Sequence, residues 1–314
     1  MATPALAADK TDPFRSFELT YTLKLTGLPA DGSKVEAWIP FPQTTDWQQV
    51  HGYMVDGGAP ATLVREDRYG NMFLDFDLTA AAKAAPGGEV DVPVHFYVTR
   101  FKHEPLTEDS GLTVDQAELA RWLQPDSMVP TTGKVADEAK ATAGGDTDEV
   151  DTARKLYEHI VATVKYDKPK DKTGWGNGDA AWACDNRFGN CTDFHSLFIG
   201  EARSLNIPAR FRIGIPLPFD KAEGDIPGYH CWAEFYVPSH GWVPIDASEA
   251  QKDNSRINEL FGSLDASRVE FTLGRDFNVP GTHHAPFNYF IYPYAEVNGQ
   301  EWKGVGKAFS FKDM

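Results

Sequence analysis

The apolar residues of this chain change their spacing between residues 104 and 112, and that change limits the fold more than any other feature. Before it, apolar positions recur at every second residue: Phe17–Thr26 reads FELTYTLKLT, and Val35–Ile39, Met72–Leu78 and Val90–Phe101 continue in the same manner. Period two belongs to a strand with one buried face. Tyr69-Gly70-Asn71 supplies residues that tolerate the positive φ of a tight hairpin. Roughly five to seven strands at this spacing predict a β-sandwich over residues 15–105. From Leu112 the period becomes helical, through TVDQAELARWL, KVADEAKATA and EVDTARKLYEHIVATV, where Val150, Ala153, Leu156, Tyr157, Ile160 and Val161 share a stripe.

Residues 165–189, rich in Asp, Lys and Gly with Trp175 and Trp182 interleaved, read as one long loop of the kind that carries function. Asn190 then caps a helix with Asp193 at its third position, and Phe194, Leu197, Phe198, Ala202 and Leu205 form its apolar stripe up to Asn206 and Pro208. Strand-like segments follow at 209–215, 229–237, 241–245, 269–273 and 287–297. The second half is therefore helices followed by an antiparallel sheet. The fold class is α+β: an N-terminal β-sandwich, then an α+β domain over residues 106–314 that the C-terminal strands complete.

Thirty Lys and Arg stand against 46 Asp and Glu, a formal charge of −16, so a nucleic-acid backbone or anionic membrane surface would be repelled. The apolar runs Phe194–Gly200 and Phe287–Tyr294 stop far short of the roughly 18 residues a membrane span needs. Ala5-Leu6-Ala7 has the small-x-small form of a signal-peptidase site. Residues 1–14 are accordingly expected to be the tail of an export signal, and the protein periplasmic or extracellular. Three cysteines, Cys184, Cys191 and Cys231, cannot all pair within one chain, which excludes a disulfide scaffold.

Cys191 follows the Asn190 cap directly, in the first helical turn, where unpaired N–H groups and the positive end of the dipole favour a thiolate. In GYHCWAEFYV, strand alternation puts His230 on one face and Cys231 on the other, pointing Cys231 away from Cys191. A hairpin at Pro238–Gly241 would pair Tyr236 with about Val243 and set Asp246 roughly opposite Ala233, one diagonal step from His230. A nucleophile at a helix start, with base and orienting acid on adjacent strands, is the arrangement that thiol acyl transfer needs. Taken singly, each has a plain structural reading: a buried thiol, a core histidine, a turn cap before Ser248.

Gly189-Asn190-Cys191-Thr192-Asp193-Phe194-His195, Ile207-Pro208-Ala209-Arg210, Tyr229-His230-Cys231-Trp232-Ala233-Glu234-Phe235 and Gly241-Trp242-Val243-Pro244-Ile245-Asp246 together resemble the bacterial transglutaminase-like domain. The resemblance is strong over roughly residues 150–250. It implies a papain-like core with Cys191 as nucleophile, His230 as base and acid, and Asp246 as orienter. The implied activity is a thiol-dependent hydrolase acting on peptide or isopeptide bonds of a peptide or protein substrate, with no cofactor. Alternatives are a protein-glutamine transglutaminase and a non-catalytic module that holds a peptide or cell-wall strand.

The Cys191 amide is one expected oxyanion donor, with Trp182 and Asn186 as candidates for the second. Asp193 reads as a helix-terminal acid and His195 as packing or surface. Cys184 is a buried or loop thiol, though close enough in sequence for a bond to Cys191 to be weighed. Cys184, Cys191, His230 and Cys231 lack zinc-ligand spacing. Asp167, Asp171, Asn177, Asp179 and Asp185 lack that of a calcium loop, so no metal is assigned. His51, His95 and His103 fall in no motif; His95 reads as a strand-face residue and His103, between Lys102 and Glu104, as solvated.

Overall fold

The computed structural model describes residues 12–107, 115–168 and 173–314. Ala5-Leu6-Ala7 and Asp171 lie outside the described residues. The fold is α+β, with mostly antiparallel sheets and seven α-helices among the described residues. The chain divides into two compact units. One takes residues up to Lys102 together with Ile213–Tyr229 and Asp265–Met314; the other takes His103–Arg212 and His230–Leu264.

The first unit holds two five-stranded antiparallel sheets. One runs in the order Glu223–Ile226, Val305–Asp313, Phe14–Leu25, Val90–Phe101, Gln48–Val55. The other runs Gln300–Glu301, Tyr294–Val297, Val35–Phe41, Met72–Asp77, Ala61–Arg65. Alternation sorts Phe17, Leu19, Tyr21, Leu23 and Leu25 to the interior of Phe14–Leu25, where all five are buried. Phe41 and Phe96, from opposite sheets, meet edge to face at 5.4 Å, so the sheets share one core. Pro93 lies one residue beyond the last pair that Val90–Phe101 makes with Gln48–Val55, where no ladder donor is needed on that side.

The C-terminal strands do not complete the 106–314 domain as the sequence suggests. Val305–Asp313 pairs antiparallel with Phe14–Leu25, setting Phe309 beside Tyr21 and Phe311 beside Leu19, and Tyr294–Val297 pairs with Val35–Phe41. Phe309 and Phe311 bury their rings on the sandwich face, a long-range pairing that local periodicity cannot show.

In the second unit the helix Cys191–Ser204 is central, with every residue from Cys191 to Arg203 buried. It touches the helices Lys134–Ala143, Glu149–Thr163, Ala180–Asn186 and Ala247–Lys252 and the strand His230–Val237. That strand pairs with Gly241–Ile245, Tyr236 facing Trp242 and Ala233 facing Ile245, a register one residue from the expected one. Its buried Glu234 accepts from Arg210 Nε at 2.6 Å and Arg212 Nε at 3.0 Å. Burial opposes the charge of Glu234, but the two guanidinium groups overcome it and hold the carboxyl well below its usual range. His103, expected to be solvated, is buried, 3.9 Å from Glu234 Oε1, and bridges to Leu264 through the backbone. The supposed loop 165–189 contains the helix Ala180–Asn186 and a short parallel pairing of Lys165–Tyr166 with Phe188–Gly189.

Candidate active site

Asn190 sets the start of the Cys191 helix. Its side chain accepts from the Thr192 and Asp193 amides, and Asp193 Oδ2 accepts in return from the Asn190 amide at 2.9 Å, a reciprocal capping box. Asp193 also accepts from the amides of Gly176 at 2.8 Å and Gly178 at 2.9 Å, so the cap fastens the preceding loop. Gly176 takes φ +78°, and a Cβ on Gly189 would meet Asp193 Cβ at 2.4 Å. Neither position accepts a side chain without moving the cap. Burial pushes the Asp193 carboxyl up to about 6, against three amide donors, and the Cys191 charge adds to the rise. Asp193 is thus the helix-terminal acid expected, with a second task in holding the loop.

Capping leaves the Cys191 amide at the first helical position, where no intrahelical acceptor exists for it. The Cys191 thiol is hydrogen-bonded to His230, and His230 Nε2 lies 2.6 Å from Asp246 Oδ2. The imidazole therefore interacts with both thiol and carboxylate. The observed register, carried one residue past the Ala233–Ile245 pair, sets Asp246 across from Trp232, on the His230 face of the strand. Asp246 Oδ1 is fixed separately, by Ser248 Oγ at 3.1 Å and the Glu249 amide at 3.1 Å, where it caps the helix Ala247–Lys252. Asp246 thus caps a helix through Oδ1 and meets His230 through Oδ2.

Burial raises the Cys191 thiol pKa, yet donors from Cys231 and His230 and the imidazolium charge bring it well below the ordinary value. Burial likewise opposes charge on His230, but Asp246 and then Cys191 lift it to about 10. Each shift favours the charged form of its own group, thiolate and imidazolium.

Cys231, expected to point away, instead packs its thiol against the first turns of the Cys191 helix. The strand His230–Val237 lies against the Cys191 helix, and it is Thr192 and His195 of that helix that Cys231 meets. Cys231 Sγ lies 3.8 Å from Thr192 Oγ1 and 3.6 Å from His195 Nδ1.

His195 is neither surface nor idle packing. The Ala247 amide donates to its Nε2 at 3.2 Å, which fixes Nε2 as an unprotonated acceptor. Burial pushes His195 down to about 4 against the pull of Asp246 and Cys191. Its 3.6 Å approach to Asp246 Oδ1 is therefore no ion pair at neutral pH. His195 joins the helix of Cys191, the thiol of Cys231 and the turn at Asp246. Tyr166 also borders the site: its ring lies 6.1 Å from that of Phe194, and burial, followed by the Cys191 charge, raises its phenol.

The two proposed second oxyanion donors are committed elsewhere in part. The Trp182 amide donates to Asp179 Oδ1 at 3.0 Å and Asn186 Nδ2 to the Trp182 carbonyl at 2.8 Å. The acidic residues weighed for calcium are scattered: Asp179 caps the helix Ala180–Asn186, Asp185 pairs with Lys134, and Asp167 accepts from the Lys168 amide. Among the described residues, no three His, Cys, Asp or Glu side chains are grouped to hold a metal. No helix among them is long and apolar enough to cross a membrane.

Residues 136–247 match the family model of the transglutaminase-like superfamily. An uncharacterized protein of Haemophilus influenzae is 27% identical, over 90% of this chain and 86% of its own length. The solved structure of a "putative cysteine protease" from Cytophaga hutchinsonii superposes with a TM-score of 0.55 at 15% identity, covering 96% of this chain and 99% of that one. The fold is shared across both units.

Proposed function

We propose that the transglutaminase-like core works in this protein as a thiol-dependent hydrolase of peptide or isopeptide bonds, with Cys191 as nucleophile, His230 as acid and base, and Asp246 as orienter. The observation that carries the reading is the buried hydrogen-bonded chain Cys191–His230–Asp246, with an anionic sulfur at one end and a fixed carboxylate at the other. The thiolate attacks an amide carbonyl, and the Cys191 N–H at the helix start stabilises the developing oxyanion. His230 then delivers its proton to the leaving amine, giving a thioacyl enzyme. Neutral His230 next draws a proton from water, which releases the acid and restores the thiolate. Asp246 keeps its charge throughout, holding the proton on Nε2 so that the other ring nitrogen faces the sulfur.

The test is incubation with a mixture of peptides, with and without a fluorescent primary amine, and mass spectrometry of the products. Hydrolysis predicts cleaved peptides in yields that the amine does not change, and none from Cys191→Ala. Amine attached at glutamine side chains would replace hydrolysis with transamidation, and no turnover of any substrate by a protein with an alkylatable Cys191 would leave only a binding role.

A further inference from the structure

We propose that Cys231 is a resolving thiol for Cys191, so that the pair forms a reversible disulfide on exposure to a peroxide and the nucleophile is a redox modification site. The inference rests on the reading of Cys191 as the reactive thiolate and adds a second sulfur to that site. All three cysteines are free and buried. Of the other two, Cys231 is the one whose thiol packs on the first turns of the Cys191 helix, 3.8 Å from Thr192 Oγ1, the next residue, and 3.6 Å from His195 Nδ1, one turn on, where it acts on the Cys191 thiol. Oxidation would draw the two sulfurs together to the bond length of about 2.05 Å. Cys184, seven residues before the nucleophile, instead donates to Glu138 Oε2 at 3.0 Å.

The chemistry closes on groups already present plus a two-electron peroxide oxidant. The Cys191 thiolate attacks a peroxide oxygen, the O–O bond breaks, and the departing hydroxide takes the His230 proton as water. Cys191 is then a sulfenic acid. The Cys231 sulfur attacks it, its own proton passing to the now neutral His230. The S–O bond breaks, the S–S bond forms, and hydroxide leaves as a second water with that proton. Two thiols lose two electrons and one hydrogen peroxide becomes two waters. Without a neighbouring thiol, the sulfenic acid would continue to sulfinic and sulfonic acids, which thiols do not reduce. Cys231 therefore protects the nucleophile as well as switching it off.

The experiment treats the full chain with graded hydrogen peroxide, blocks remaining thiols with iodoacetamide without reductant, and maps all three cysteines by mass spectrometry. The expected product links the peptides of Cys191 and Cys231, two hydrogens lighter, with Cys184 alkylated; dithiothreitol restores full labelling of Cys191. In Cys231→Ser, or in Cys231→Ala should the serine fold poorly, Cys191 goes to sulfinic acid and dithiothreitol restores none of it. Cys191 oxidised to sulfinic acid in the natural protein while Cys231 stays alkylatable would overturn the resolving role alone. Cys191 left unmodified by peroxide, and alkylated no faster than Cys184, would overturn both this proposal and the thiolate reading beneath it.

Discussion

Two thiols of the same unit, one at the end of the helix Ala180–Asn186 and one at the start of Cys191–Ser204, differ in the partner each meets. Burial is the largest influence on both and acts in the same direction, upward. Cys184 faces the carboxylate of Glu138, which Arg187 grips through two nitrogens at 2.5 and 2.6 Å and His159 at 2.8 Å. With burial and an anionic neighbour adding together, Cys184 is pushed up to about 12. Cys191 meets an imidazolium and a thiol donor, and these reverse the burial effect. Exposure does not account for the opposite shifts, since Cys184 at 7% is more exposed than Cys191 at 2%. The sign of the neighbouring charge does.

The comparison breaks most severely at Asp246. Asp246→Asn keeps an oxygen for Ser248 and the Glu249 amide but turns a donor, or an uncharged acceptor, toward His230. Loss of kcat by roughly 10³–10⁴-fold with little change in KM is expected, by analogy with a serine-protease triad. Steady-state kinetics check it, and a loss below tenfold would mean that Asp246 serves only as a helix cap.

Next comes the contrast itself. At pH 7 iodoacetamide should label Cys191 at least about a hundredfold faster than Cys184, even after the lower intrinsic nucleophilicity of a low-pKa thiolate is counted. His230→Ala should shrink this gap in time-resolved peptide mapping; an unchanged gap would assign activation to another group.

Glu138→Gln sharpens the comparison from the other side, because it removes the anion beside Cys184. Labelling of Cys184 should rise by about tenfold while Cys191 is unaffected. The same carboxylate makes a pH prediction. Burial opposes its charge, but Arg187, Cys184 and His159 together lower Glu138 to about 2. Its stabilising effect is present above the ordinary value of 4.5 and is lost as pH falls from there toward about 2. Acid titrations of the natural protein and Glu138→Gln should converge over that window.

The smallest effect lies at the far end of the Cys191 helix. Both Glu201 carboxylate oxygens are buried without a hydrogen-bond partner, and burial, then the Glu138 charge, raises this carboxyl well above its usual range. A raised carboxyl stabilises fully only below its unfolded value and loses that contribution as pH rises through the folded one. At pH 7 Glu201→Gln should therefore stabilise, by about 1 kcal/mol, seen as a few degrees in Tm. A lower Tm at pH 7 would mean that the carboxylate has a role in the fold that its burial alone does not reveal.

Much of the helical half was legible because its signals are local. The Asn190 cap, the Asp193 partner and the stripe to Leu205 lie within sixteen residues, and the helix Cys191–Ser204 falls where they put it. The strand Val90–Phe101 likewise follows its alternation, and Gly241–Ile245 falls where its short apolar run puts it. Less visible were Gln48–Val55 and Ala61–Arg65, edge strands whose largely exposed residues carry little apolar signal. The contact of Cys231 with Thr192 and His195 is a packing across elements that strand alternation alone does not reveal. His195 and Tyr166 left no signal, since their neighbours arrive from Asp246–Ala247 and from the start of the Cys191 helix, across gaps that spacing cannot measure.

The pairing of Phe14–Leu25 with Val305–Asp313 bears on the order in which the molecule is made. A ribosome emits Phe14–Leu25 early, and that strand has Val90–Phe101 available on one side soon afterwards. Its other edge waits for some 280 residues, until the last strand emerges. The nascent chain thus carries an open, apolar-backed strand edge while the whole second unit is synthesised, the circumstance in which strand edges recruit wrong partners. The second unit, encoded between these strands, has no such wait for its helix Cys191–Ser204 and the strands that follow. Vectorial synthesis therefore favours maturation of the core before closure of the sandwich, and a stalled or shortened chain would expose an edge rather than a site.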